Sequence, residues 1–246
     1  MEPVMGRCVG EEQILIIMAK EPVPGRVKTR LSPLLTPDEA CELYRCFLLD
    51  TFTEMQKLKD TRIAVAFTPR EAEATFHSLI PHRFLLFPQE GKDLGKRQPN
   101  AFRYLFRQGF KRVSMIGGDI PTLPHRLIRE AFHILSLHEK DVILGPSTDG
   151  GYYLVGLSQL HLGIFQGISW SSSVVFKQTM ERARDLNLRV GLLEQWYDVD
   201  TITDIWVLMD QLLPNSTSKE TIVCQHSLAF LQRIARNFPQ KFRNSG

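Results

Sequence analysis

Residues 113–123 read Val-Ser-Met-Ile-Gly-Gly-Asp-Ile-Pro-Thr-Leu: a short apolar run, two glycines, a lone acid and a proline-bearing turn. The run is continuous rather than alternating, as expected for a strand buried on both faces of a parallel sheet. The glycines let the chain turn closely, so Asp119 emerges at the carboxyl end of the strand, where open α/β sheets bind their ligands. Similar runs stand at 14–18, 63–67, 84–87 and 142–144, with helical patterns between them. The clearest pattern opens at Thr36-Pro-Asp-Glu39, a capping box with proline at the first helical position. It places Ala40, Tyr44, Phe47, Thr51, Met55 and Leu58 on one face. Shorter helical patterns cover 70–79, 99–108 and 124–137. This alternation predicts an α/β fold, a three-layer α/β/α sandwich with a mostly parallel central sheet and right-handed crossovers.

Farther along, Ser147-Thr-Asp-Gly-Gly151 reads as a turn into a strand at 152–155. A helix is expected at 171–187, a strand at 188–193 and a helix at 201–212. The expected organisation is a loose N-terminal extension over 1–12, the α/β domain over 13–212, and a C-terminal helix and tail over 213–246. Thr217 and Glu220 would cap that last helix, which packs on the domain or on a second subunit and so leaves a homodimer open.

Composition narrows the classes. A net charge of +3, with the basic residues scattered, gives no footprint for nucleic acid or a membrane surface. The longest early apolar run, at 14–19, is far short of the ~20 residues needed to span a bilayer. Residues 1–12 carry Glu2, Arg7, Glu11 and Glu12 without the apolar centre of a secretory signal. Cys8, Cys41, Cys46 and Cys224 form no C-x-x-C pair and no zinc spacing, so they read as free thiols of a cytoplasmic protein.

Two strand-end segments could carry chemistry. Residues 19–30 set Lys20, Arg26, Lys28 and Arg30 against one acid, Glu21, on a loop stiffened by Pro22 and Pro24, with Gly25 free to approach a ligand. Such cations suit a di- or triphosphate, because arginine grips phosphate oxygens in a fork and lysine adds a point charge. A solvated basic loop reads the same way. Neither a G-x-x-x-x-G-K-[ST] nor a G-x-G-x-x-G motif is present. In the second segment Asp119 could hold a hard cation through oxygen or simply cap the following helix. Asp149 could take a proton from an attacking hydroxyl, or bond its own backbone in the Asp-Gly-Gly turn. Tyr152 and Tyr153 occupy adjacent strand positions and point to opposite faces, so at most one is expected to line a site. Trp170 and Trp196 read as partly buried packing residues.

Five segments together carry a family resemblance: P-x-P-G-x-x-K-T-R-L at 22–31, G-G-D-I-P-T-L at 117–123, G-P-S-T-D-G-G-Y-Y-L at 145–154, W-S-S-S-V-V at 170–175 and D-V-D-T-I-T-D at 198–204. Over about residues 13–212 the chain resembles the GT-A-like nucleotide-diphospho-sugar transferases, in the branch called selenodomain-associated transferases. It is similar, more distantly, to nucleotidyltransferases that build phospholactate and molybdopterin cofactors. The resemblance implies that the first strand and its loop hold the nucleotide, with Lys28 and Arg30 at the phosphates. Lys20 and Gly25 on the same loop are further candidates for the nucleotide, and Tyr152 could stack on its sugar or base. The resemblance makes Asp119 a metal ligand, Asp200 the second ligand, and Asp198 a neighbour able to substitute, with Mg2+ or Mn2+ as the ion. The implied activity is metal-assisted transfer from a nucleotide or nucleotide-sugar donor to an unknown acceptor, with Asp149 and Asp119 catalytic. The alternatives are nucleotidyl transfer releasing pyrophosphate, and nucleotide binding without catalysis. Two departures stand out: Gly117 replaces the first acid of a D-x-D motif, and the G-x-G-T-R start of sugar nucleotidylyltransferases is missing. Asp119 and Asp200, brought together without a cation, are expected to repel and to resist ionisation. No G-x-S-x-G or H-E-x-x-H motif points to a hydrolase.

Overall fold

Strand β1 (Gln13–Lys20) sends alternate side chains into two separate cores. Leu15 and Ile17 pack on one side of the sheet, Ile14 and Ile16 on the other, and all four are fully buried. The structure is a computed structural model and describes residues 12–32, 34–212 and 224–238. Seven strands form one sheet: β1, β2 (Arg62–Thr68), β3 (Leu85–Pro88), β4 (Arg112–Gly117), β5 (Val142–Pro146), β6 (Tyr152–Leu157) and β7 (Val190–Leu192), in the order β3-β2-β1-β4-β6-β5-β7. Only β6 runs against its neighbours β4 and β5; the other ladders are parallel.

Among the described residues seven α-helices cover the faces: α1 (Pro37–Met55), α2 (Glu73–Leu79), α3 (Leu94–Arg107), α4 (His125–Ser136), α5 (Val175–Asp185), α6 (Ile202–Leu212) and α7 (Gln225–Asn237). Side chains of α1, α2, α4, α6 and α7 join the core containing Leu15, whereas Phe102 of α3 and Ala183 of α5 join the core containing Ile14. The result is a three-layer α/β/α sandwich with a mostly parallel sheet. Each fully buried large side chain, such as Phe47 or Phe102, contributes roughly 1.5–3 kcal/mol through removal from water.

The capping box at Thr36 forms as its sequence requires, with Thr36 accepting from the Glu39 amide and Glu39 accepting from the Thr36 amide. Helices α4 and α7 lack a side-chain cap of their own. Acids of α1 supply it instead. Asp50 accepts from the His226 amide at 3.0 Å, the Ser227 amide at 2.8 Å and the Ser227 hydroxyl at 2.5 Å. Glu54 accepts from the His125 amide and lies 2.7 Å from Nδ1 of the same residue. Burial raises the Glu54 carboxyl, but Lys57 and His125 outweigh it and hold it below the usual range.

Two helix starts differ from expectation. Helix α3 begins at Leu94, five residues before the predicted start, because the Asp93 carboxylate accepts from the Lys96 amide at 3.0 Å; Pro99 then lies inside the helix. Helix α5 begins at Val175 rather than 171, because Ser171 takes a left-handed φ of 61° that interrupts helical winding. The expected cap at Thr217 and Glu220 lies outside the described residues. Cys41, Cys46 and Cys224 are free thiols.

Candidate active site

The strand order reverses between β1 and β4: β1 leads outward to β2 and β3, and β4 begins the other half. Such a switch point opens a crevice at the carboxyl ends of the two strands. The loop after β1 enters it. Gly25 has a φ of +75° and open space around its missing Cβ, so conformation rather than crowding calls for glycine there. Val27 and Leu31 sink into the core and anchor the loop. Between them Lys28 is left-handed, with φ 47° and ψ 38°. This turns its side chain inward, at a backbone cost of about 1–2 kcal/mol.

The Lys28 ammonium meets two carboxylates. It donates to Asp119 Oδ2 at 2.8 Å and to Asp200 Oδ1 at 2.5 Å, and its side chain is 4% exposed. The Phe47 ring lies 6.0 Å from it. Burial pulls this amine down, but the two carboxylates outweigh burial and raise it well above its ordinary value. Arg30 stands at the rim, 71% exposed, with Nη1 3.8 Å from Asp200. The exposed Lys20 adds to the field that Asp119 feels. Its amide donates to the hydroxyl of buried Tyr44.

Asp119 is aimed by the glycines before it. A Cβ on residue 117 would lie 2.7 Å from the Asp119 carboxylate, and one on residue 118 would lie 2.7 Å from Leu48 and 3.1 Å from the Met18 carbonyl. The glycine that breaks the D-x-D pattern is therefore a steric condition for this placement of Asp119. Asp200 is held from its own side, because Asp204 accepts from the amides of Asp200 at 3.0 Å and Thr201 at 2.7 Å. Asp198 receives the Ser147 hydroxyl at 3.2 Å.

A cleft of about 110 Å³ beside this cluster is bordered by Gly117, Asp119, Ser147, Asp149, Tyr152, Tyr153 and Asp198. Burial first, then the charges of Asp119, Asp200 and Asp149, push the Asp198 carboxyl up to about 6. The Asp119 carboxyl goes the other way. Burial raises it, yet Lys28 lowers it below the ordinary range. Mutual repulsion therefore settles on Asp198 rather than on Asp119, because Lys28 neutralises the latter. Asp149 is exposed and one of its oxygens accepts the Gly151 amide at 2.8 Å, the local turn contact.

Both tyrosines border the cleft, against the expectation of one. Their rings enter opposite layers, but the bulged β5–β6 turn brings both residues to its edge. Tyr152 donates to Gln98 and packs edge-on to Trp170, whereas Tyr153 donates to the Glu194 carbonyl. Trp170 and Trp196 are half-buried packing residues, the second bonded to Thr122. Four residues at the site were not singled out from sequence: Tyr44, Phe47, Ser147 and Asp204. Asp204 had a readable signal, since Thr201-x-x-Asp204 has the spacing of a capping box.

The fold and the crevice define a nucleotide-diphospho-sugar transferase-like molecule. A crystal structure of a candidate nucleotide-diphospho-sugar transferase from Desulfovibrio desulfuricans G20 is 31% identical, with a TM-score of 0.82 over 94% of this chain and 98% of that one. The chain belongs to this nucleotide-diphospho-sugar transferase family. The family model described as "Uncharacterized protein conserved in bacteria (DUF2064)" matches residues 51–172. The fold is shared with CMP:2-keto-3-deoxy-manno-octonic acid synthetase complexed with CTP (12% identity, TM-score 0.53, 82% of this chain and 99% of that one). It is shared too with 4-diphosphocytidyl-2C-methyl-D-erythritol synthase from Anaerococcus prevotii DSM 20548 (10% identity, TM-score 0.53, 90% and 97%).

Proposed function

We propose that the protein transfers a group from a nucleotide-activated donor, a nucleotide-diphospho-sugar, with the help of a divalent cation. One observation carries the reading: Lys28, Asp119 and Asp200, from three distant segments, converge at the switch point of a transferase fold. Lys28 and Arg30 bind donor phosphate oxygens, Arg30 from the rim. Among the described residues no three acids, imidazoles or thiols are grouped to hold a cation unaided. The donor set nevertheless fits a hard ion, because two carboxylates already share one cation, the Lys28 ammonium. Asp119 and Asp200 would hold the ion, with Asp198 beside them and phosphate oxygens completing the shell. When bound, a divalent cation supplies positive charge that offsets the charge developing on the leaving group.

In the transfer, an acceptor hydroxyl oxygen forms a bond to the sugar carbon as the bond from that carbon to phosphate oxygen breaks. The nucleoside diphosphate leaves with the electron pair, and Asp149 accepts the hydroxyl proton. A second reading, nucleotidyl transfer with release of pyrophosphate, is favoured by Gly117, which removes the paired acids of a D-x-D loop.

Thermal-shift and calorimetric titrations with nucleotide-sugars and nucleoside triphosphates, each with and without Mn2+, test the proposal. Binding that depends on Mn2+ is expected, and Arg30→Ala should weaken it on the order of tenfold by removing a charge-assisted contact. Tighter binding of nucleotide-sugars supports sugar transfer; tighter binding of triphosphates supports the second reading. No binding of either class, or an Arg30→Ala constant equal to the parent's, overturns the assignment.

A further inference from the structure

We infer that Lys28 and the divalent cation are alternative occupants of the same pair of carboxylates, and that donor phosphate decides between them. The inference rests on the metal-assisted reading above and adds an order to it. The ammonium contacts Asp119 Oδ2 and Asp200 Oδ1 directly. A divalent ion coordinated by these same two oxygens, at ~2.1 Å for magnesium, would have to take the place between them that the ammonium now fills. Two cations cannot share that place, so binding the ion requires the lysine to leave.

The loop allows this. Val27 and Leu31, buried on either side of Lys28, fix the backbone, while the four-carbon lysine stem can redirect its head without moving them. Displacement takes the lysine off both of its carboxylate partners. Arg30, two residues on and 71% exposed, marks where an incoming phosphate would be gripped, on the same loop and beside Asp200. Phosphate offers the displaced ammonium a new anion, and the cation takes over the carboxylates. Each half of the exchange is unfavourable alone. Cation without phosphate strands the lysine, and phosphate that draws Lys28 away without cation leaves Asp119 and Asp200 facing each other. Donor and cation therefore bind with positive, reciprocal coupling.

The test measures Mn2+ binding by electron paramagnetic resonance and calorimetry on the full chain, in the parent and in Lys28→Met. UDP binding is measured separately in the presence of a chelator. Lys28→Met should bind Mn2+ alone at least tenfold more tightly than the parent, and bind UDP without metal about tenfold more weakly. Loss of a positive charge gives these signs by itself, so the mark of exchange is the coupling. UDP should tighten Mn2+ binding by about tenfold or more in the parent and by markedly less in Lys28→Met, and equal coupling in the two overturns the exchange. Lys28→Gln, which keeps amide donors for the carboxylates without the charge, should shift both constants in the same directions and serves if Lys28→Met does not fold. Adding Asp119→Asn to either variant should abolish the gained Mn2+ affinity. Equal Mn2+ affinity in parent and neutral variants overturns the exchange while leaving a metal site standing. Absence of Mn2+ binding in every protein, with and without UDP, overturns the metal reading itself.

Discussion

Asp198 shows how one residue reports on the charge of the whole cleft. Its carboxyl is pushed up to about 6 by burial and by the acids around it, from an ordinary value of 3.8. The folded state thus holds a proton that the unfolded chain has released across the window between those values. Stability attributable to this residue is present when the pH is low and is lost as the pH rises through about 6, leaving an ionised acid that opposes folding at neutrality. Asp198→Asn removes that opposition. In chelator it should raise stability at pH 7.5 by about 1–3 kcal/mol, and change it little at pH 4, as urea denaturation at the two pH values would show. An equal effect at both pH values would assign the gain to packing. Asp119 follows the reverse rule. Lys28 depresses its carboxyl, so its contribution is present above the ordinary carboxylate range and lost as the pH falls through its lowered value. Asp119→Asn should therefore destabilise the metal-free protein, contrary to what two unneutralised acids would imply.

Among the elements, α1 does more than fill a layer, because its buried Asp50 caps α7 through the His226 amide, 176 residues away in sequence. Removing that carboxylate leaves the Ser227 amide and hydroxyl without their partner in a fully buried position. Asp50→Ala should cost about 3 kcal/mol, since it combines a lost charge-assisted cap with unsatisfied donors. A urea midpoint lowered accordingly, with UDP binding unchanged, is the expected result, and an unchanged midpoint would deny the cap its role. Nothing in the sequence near Asp50 announces this contact, since α1 reads there as an ordinary amphipathic face. The strands were legible because residues such as Ile14–Ile17 and Val142–Leu144 form apolar runs too continuous for surface helices. The short turn at 147–151 carried the reversed direction of β6, since so few residues cannot make a parallel crossover. Its insertion between β4 and β5 was not legible, because that pairing is set by distant segments. At the site, the apolar runs mark the loops bearing Lys28 and Asp119 as strand-end segments, and only the family resemblance points to Asp200. Neither can show that a buried ammonium stands between the two acids, because that is a property of the third dimension alone.

At the scale of the whole molecule, two concavities compete for a ligand, and size alone favours the one away from the proposed site. The larger, about 540 Å³, is bordered by Glu12, Phe106, Phe110, Lys111, Arg112 and His138, at the edge where β1 and β4 begin. Its volume is in the usual range for a small-molecule site, ~300–1,000 Å³, whereas the acidic cleft of about 110 Å³ falls below it. Topology and charge argue the other way. The larger hollow lies at the amino edge, away from the crevice that strand reversal opens, and its Lys111 and Arg112 already pair with Glu12. The acidic cleft has Lys28 and Arg30 beside it and four aspartates converging from three segments. On the proposed function, its small volume would leave a nucleotide mainly along the open rim past Arg30, with only the reacting groups inside. Hydrogen exchange with Mn2+ and UDP distinguishes the two places. Amides of 22–32, 117–123 and 196–204 should slow by about tenfold or more if binding is worth at least ~1.4 kcal/mol, while those of 106–112 and 158–160 stay at their free rates. Protection confined to the second set would move the ligand to the opposite edge and remove the basis for every role assigned to Lys28, Asp119 and Asp200.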